Sequence, residues 1–161
     1  MRTRETAAYS GVCEDFERER NAEITLLDTF VRKMCMIKSM LIAGLGGLIG
    51  TCLRFLVGKV STALFVGSSW PWGTFIVNIV GSFIIGVLFG LVEKGGVISP
   101  RMNAFLITGF GGGFTTFSSL SHDMLSLLES RHFWGFGAYA VGSFALGLLC
   151  VWLGRLIIKT A

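Results

Sequence analysis

The sequence predicts an all-α membrane protein with four transmembrane helices, the third of them broken. Three observations lead there. Of 161 residues, 52% are hydrophobic and only 15% charged, with a mean hydropathy of +0.69, whereas soluble domains carry about 25% charged residues. The charges are also unevenly placed. Residues 1–38 hold seven acidic and seven basic side chains, and the remainder holds Arg54, Lys59, Lys94, Arg101, Arg131, Arg155 and Lys159 against Glu93, Asp123 and Glu129, so the formal +4 belongs to the apolar part. Finally, the run from Arg101 to Asp123 is long enough to cross a hydrocarbon core of ~30 Å with ~20 residues. Yet its centre, Gly109–Leu120, reads Gly-Phe-Gly-Gly-Gly-Phe-Thr-Thr-Phe-Ser-Ser-Leu. A broken turn in a bilayer leaves N–H and C=O groups unpaired. Such backbone survives only where it is buried in protein, holds an ion or lines a wet path. The stretch therefore predicts an ion-handling site at mid-membrane.

Taken in order, residues 1–38 form a polar N-terminal extension and residues 39–161 a four-helix transmembrane unit. In the extension Glu14–Arg20 is charge-dense, and Ile24, Leu27, Val31 and Met34 fall at helical spacing. Residues 14–35 are either an amphipathic helix on the membrane surface or a poorly ordered tail upstream of a start at Met34, Met36 or Met40. The first span runs from about Met40 to Gly58, with Gly46, Gly50 and Arg54 on one face, and small residues at that spacing let helices approach closely. Arg54 either snorkels to the interface or draws anions to a vestibule. The second span opens at Trp70-Pro71-Trp72, with Pro suited to a first helical turn and Trp to the headgroup boundary, and ends near Val92. Asn78, Ser82, Gly86 and Gly90 share a face that drifts by about 40° per step. Asn78 is deep enough to cost energy if unpaired, so it either bonds across helices or faces a pore. The third span runs from Ser99-Pro100 to about Leu125. The fourth runs from about Phe133 to Ile158, with Gly135, Tyr139, Ser143 and Gly147 on one face.

The side chains with hydrogen-bond donors to offer are Asn78, Thr115, Thr116, Ser118, Ser119, Tyr139 and Ser143. A small, strongly hydrated anion needs such donors to replace its water. Phe114 and Phe117 flank the threonines and can either pack or present the positive edge of a ring to an anion. Carbonyls freed by the break suit a hard cation such as Na⁺. No carboxylate lies inside an apolar run, which argues against proton or cation coupling. Cys13, Cys35, Cys52 and Cys150 show no metal-ligand spacing, and no basic, aromatic-interleaved patch suggests nucleic acid. An enzyme is disfavoured because Ser121, His122 and Asp123 are adjacent and cannot easily face one another as a triad. A small multidrug/proton exporter-like transporter should carry a Glu in its first span, and none is there. A non-conducting membrane scaffold or assembly protein remains as an alternative. Basic loop residues lie on both sides, Lys38, Lys94, Arg101 and Lys159 against Lys59 and Arg131. So weak a bias permits insertion in both orientations.

These stripes together resemble the Fluc/CrcB family of small dual-topology fluoride channels, over about residues 36–158. The resemblance rests on Gly46-Gly47-Leu48-Ile49-Gly50 with Arg54-Phe55, on Gly73-Thr74 through Asn78 to Gly81-Ser82-Phe83, and on Gly109 through Ser118. It implies an antiparallel, dual-topology homodimer, or a pairing with a paralogous subunit, in a bacterial inner membrane, passing fluoride outward and so reducing its toxicity. It implies a structural Na⁺ at the dimer centre, held by carbonyls of Gly112 and Thr115. It also implies an ion pathway past Asn78, Thr116, Phe117, Ser118, Tyr139 and Ser143, with Arg54 in the vestibule. The family's second pore phenyl falls at Leu120, a departure that removes one polarised ring edge.

Overall fold

The computed structural model describes residues 2–95 and 97–160, with side chains at Thr25 and from Asp28 onward. Among these every regular element is helical. Helix α1 spans Arg2–Leu64, α2 Trp72–Glu93 and α3 Pro100–Asn103; a π-helical stretch covers Ala104–Gly111, followed by α4 Gly112–Phe114, α5 Phe117–Glu129 and α6 Phe133–Thr160. The contacts divide the chain into Met1–Lys38 and Ser39–Ala161. The amphipathic expectation for residues 14–35 falls largely outside the described side chains; of its apolar positions, Val31 and Met34 are described and exposed.

Three stretches are long and apolar enough to cross a bilayer: Asp28–Leu64, Trp72–Glu93 and Phe133–Thr160. The remaining expected crossing is divided into short pieces. Ser99 starts it as foreseen, accepting a hydrogen bond from the Met102 N–H at 3.3 Å, with Pro100 in the first turn. Pro71, by contrast, stands just before α2 rather than inside its first turn.

The interruption itself differs from the sequence expectation. The three glycines do not break the helix. Gly111 closes the π-helical stretch and Gly112 and Gly113 continue into α4, all with helical backbone. The break is confined to Thr115 (φ −79°, ψ 154°) and Thr116 (φ −150°, ψ 119°). β-branched side chains favour that extended conformation. The glycines serve packing instead. A Cβ on Gly109 would overlap the Ala43 carbonyl, one on Gly113 the Gly47 carbonyl, and one on Gly50 the Phe110 carbonyl. Glycine thus lets α1 and the broken segment touch backbone to backbone, as small residues do in membranes.

Helices α2 and α6 meet in the same way, with Gly86 against Val151 and Gly154 against Phe83 and Val87. Their ends are tied by Arg155, whose Nε donates to Glu93 Oε2 at 2.8 Å and whose Nη2 pairs with Oε1. At the other end Leu120, Leu127 and Tyr139 form a buried cluster, with Trp70, Phe75, Met124 and Phe136 packed against it.

Candidate functional site: a neutral groove at the helix break

Two residues in extended conformation cannot use helical hydrogen bonds, and hydrocarbon supplies no substitutes. Asn78 on α2 fills the gap. Its Oδ1 accepts from the Thr116 N–H at 2.8 Å, and its Nδ2 donates to the Thr116 carbonyl at 3.2 Å. The side-chain amide thus pairs with Thr116 as a neighbouring strand would. One of its two amide hydrogens remains uncommitted by these bonds. Thr115 satisfies itself locally: its N–H and its hydroxyl both donate to the Gly111 carbonyl, at 3.0 and 2.9 Å. Thr116 then caps α5, its Oγ1 accepting from the Ser119 N–H at 3.3 Å, as Thr commonly does at helix starts. Its hydroxyl also lies 3.1 Å from Ser118 Oγ and 3.3 Å from Ser119 Oγ.

Beside the break lies an open groove of about 380 Å³, lined by α2, the break, the start of α5, and α6. Asn78, Ser82, Thr115, Thr116 and Ser143 supply its polar atoms, and Phe117 and Leu120 much of its apolar wall; no lining residue is charged. Ser143 is buried and its hydroxyl has no hydrogen-bond partner. A buried unpaired hydroxyl is costly, so it marks a place where a polar guest would be welcome. A second cavity, about 90 Å³, is lined by Arg54, Gly58, Gly73, Thr74, Val77, Thr116 and Ser119. Thr116 is common to both cavities. The smaller cavity thus has a guanidinium in its lining, and the larger has only uncharged groups.

Asn78, Thr115, Thr116, Phe117 and Ser143 thus gather around one groove, and Arg54 lines the cavity next to it. Phe117 is 68% exposed at the rim and Ser118 is exposed beside it. Tyr139 is fully buried behind the groove, its hydroxyl donating to Asp123 Oδ2 at 3.2 Å and its ring edge-on to Trp70 at 5.3 Å. Leu120 lines the groove while packing into the Tyr139 cluster. Gly112 is exposed, and a Cβ there would meet nothing within 4 Å.

The sequence puts Ser82 and Gly147 on polar stripes without marking them as site residues; both line the groove. The drift of a four-residue stripe explains what became of the rest. With about 40° of rotation per step, Asn78 and Ser82 face the groove while Gly86 and Gly90 have turned onto α6. Asp123 as the partner of Tyr139 carried no sequence signal, because nothing local links residues 16 apart on different helices.

A model of the family described as CrcB-like protein, Camphor Resistance (CrcB) matches residues 41–155. Among curated relatives, the fluoride-specific ion channel FluC of Rhizobium etli is 43% identical over 124 residues, which is 77% of this chain and 98% of its own. That of Chlorobium phaeobacteroides is 39% identical over 121 residues, 75% of this chain and 93% of its own. That of Flavobacterium psychrophilum is 39% identical over 123 residues, 76% of this chain and 98% of its own.

Proposed function

The chain belongs to the CrcB-like family, and on that premise we infer how it works: it is a fluoride-specific ion channel embedded in a membrane, and not an enzyme. The proposal is passive export. Hydrogen fluoride that has leaked across a bacterial inner membrane ionises inside, and the channel lets the trapped anion run back out, reducing its toxicity.

The observation that carries the mechanism is the chemistry of the groove. Its polar lining is made of neutral groups alone, and one of them, the Ser143 hydroxyl, is buried without a partner. A carboxylate in that lining would repel fluoride, and a fixed ammonium or guanidinium would hold it too long. Hydroxyl and amide donors replace its hydration shell and still release it, which is what conduction requires. Arg54 raises the local anion concentration at the approach without entering the groove. Asn78 offers its free amide hydrogen, Thr116, Ser118 and Ser143 their hydroxyls, and Phe117 the edge of its ring. Tyr139, whose hydroxyl donates to Asp123, stands outside the groove and supports its wall by packing with Leu120.

We further propose that four spans cross the membrane, the broken segment counting as one, and that a second copy or a paralogous subunit packs antiparallel against this chain. The groove is open along one side in the single chain, with Phe117 at its rim, and a partner would close it. The break also fits a Na⁺ shared between partners. The Thr116 N–H goes to Asn78, so the Gly112 carbonyl lacks the donor that a continuous helix would give it. The carbonyls of Gly112 and Thr115 would hold the ion, and when bound it supplies positive charge to oxygens that hydrocarbon cannot satisfy.

The test is direct. Purified chain is reconstituted into liposomes loaded with potassium fluoride, and a fluoride electrode reads the external solution once an ionophore lets potassium follow. Rapid efflux is expected, with none when chloride replaces fluoride. Liposomes that retain their fluoride would leave a non-conducting scaffold as the better reading.

A further inference from the structure

The break leaves more than one carbonyl to satisfy, and α1 supplies a donor for one of them. The Thr115 N–H still closes a helical turn, on the Gly111 carbonyl. The next carbonyls, of Gly112 and Gly113, would in a continuous helix meet the N–H groups of Thr116 and Phe117. The first of these donors goes to Asn78. The second stands at the start of α5, where N–H groups have no partner within their own helix. Gly113 is served from α1 instead: Thr51 Oγ1 donates to its carbonyl at 3.5 Å, across 62 positions of sequence.

This choice of acceptor sets Thr51 apart from five other helical hydroxyls. Thr29, Thr62, Ser121, Ser126 and Thr160 each donate to the carbonyl one turn back in their own helix, a common habit of helical Ser and Thr. For Thr51 that acceptor would be Gly47, which is packed against the broken segment. A Cβ on Gly113 would overlap the Gly47 carbonyl, and a Cβ on Gly50 would come within 3.1 Å of the Gly113 carbonyl carbon. Two glycines of α1 thus seat the Gly113 peptide, and the hydroxyl next in sequence to one of them reaches its oxygen. Thr51 is exposed and lines neither the groove nor the Arg54 cavity, so any influence it has on the ion passes through the backbone.

We propose that Thr51 is a positioning residue for fluoride conduction. By holding the Gly113 carbonyl it fixes where α4 ends, and so keeps Thr116 in register with Asn78. Asn78 secures the break from α2, and Thr51 secures it from α1. The inference rests on the channel reading and adds a residue to it. At 3.5 Å the bond is long and contributes little to global stability. Local opening can cost far less than global unfolding, so loss of the bond is felt at the break and not in the melting temperature.

The experiment compares Thr51→Val, which keeps the branched shape without the donor, with Thr51→Ser, which keeps the donor. Each full chain is reconstituted into liposomes loaded with potassium fluoride for efflux, and its amide hydrogen exchange over residues 112–119 is followed by mass spectrometry. Thr51→Val is expected to exchange severalfold faster there and to release fluoride severalfold more slowly, at an unchanged melting temperature. Thr51→Ser should match the unaltered protein in all three readings. If either exchange or efflux is unchanged in Thr51→Val, the proposal is overturned. Equal losses in both variants, or an efflux loss that merely follows a lower melting temperature, would also overturn it by making Thr51 a packing residue. Exchange is read whether or not the chain conducts. Absent efflux from the unaltered protein would therefore count against the channel reading, while the exchange comparison still decides whether Thr51 holds the break.

Discussion

Both ends of the Asn78 amide are tied to Thr116, so a change there touches the fold and the ion path at once, and the two effects can be separated. Asn78→Asp keeps an acceptor for the Thr116 N–H but loses the donor to the Thr116 carbonyl and places a negative charge on the groove wall. The lost bond should cost about 1–3 kcal/mol, seen as a lower melting temperature in detergent. Fluoride efflux should fall by more than the folding loss explains, because the carboxylate repels the permeating ion. Undiminished efflux would remove Asn78 from the pathway. Ser143→Ala makes the opposite split. Its hydroxyl is buried and unpaired, so its removal should leave the fold unchanged or more stable by about 1 kcal/mol, while efflux slows. A structural serine would show the reverse, and that contrast is the check. At this scale the sequence revealed which residues have donors, because donor chemistry is a property of residue type. It did not reveal that Asn78 bonds across helices and lines the groove together, since the pairing depends on where a residue 38 positions away turns extended.

Among the elements, the broken segment shows how a residue's type can be read correctly and its task misplaced. Glycine is a weak helix former in water, so the run Gly111–Gly113 reads as the point of rupture. Packed against α1 it stays helical, because the close backbone contact compensates for the weak propensity, and the break moves to the threonines. This yields a paired prediction. Gly113→Ala forces a methyl into the Gly47 carbonyl and should cost about 1–3 kcal/mol as an overpacked contact. Gly112→Ala, one residue away and facing open space, should leave the melting temperature of the single chain nearly unmoved. Thermal unfolding of the two variants side by side decides it; equal gains would mean that intrinsic propensity, which favours Ala over Gly in a helix, governs both positions. The boundaries of the second and fourth spans were legible to within a few residues, because apolar length is set by the bilayer, whereas the first, expected from about Met40 to Gly58, lies inside a helix that runs Arg2–Leu64. Which stripe met which was not, because the facing partner of a small-residue stripe is fixed by three-dimensional packing.

For the whole molecule, the open side of the groove and the space at Gly112 decide how conduction is completed. A channel needs a path closed to lipid, and one chain presents its neutral donors in a groove open on one side. The weak charge bias of the loops permits two orientations, and an antiparallel partner could then face the groove. If that is the assembly, the outward space at Gly112 is where the two chains come nearest and where carbonyls would share a cation. Gly112→Val therefore should spare the chain and abolish the pair. The expected result is a protein of normal helicity by circular dichroism, running in light-scattering chromatography at half the mass of the unaltered protein, with no fluoride efflux after reconstitution. The direction of each reading matters. A variant that lost helicity would point to damage within the chain, against the open space the structure gives at this position. A variant that remained paired and conducting would place the interface elsewhere. Only loss of pairing and of flux together, with the helices intact, ties conduction to a second chain seated on this face.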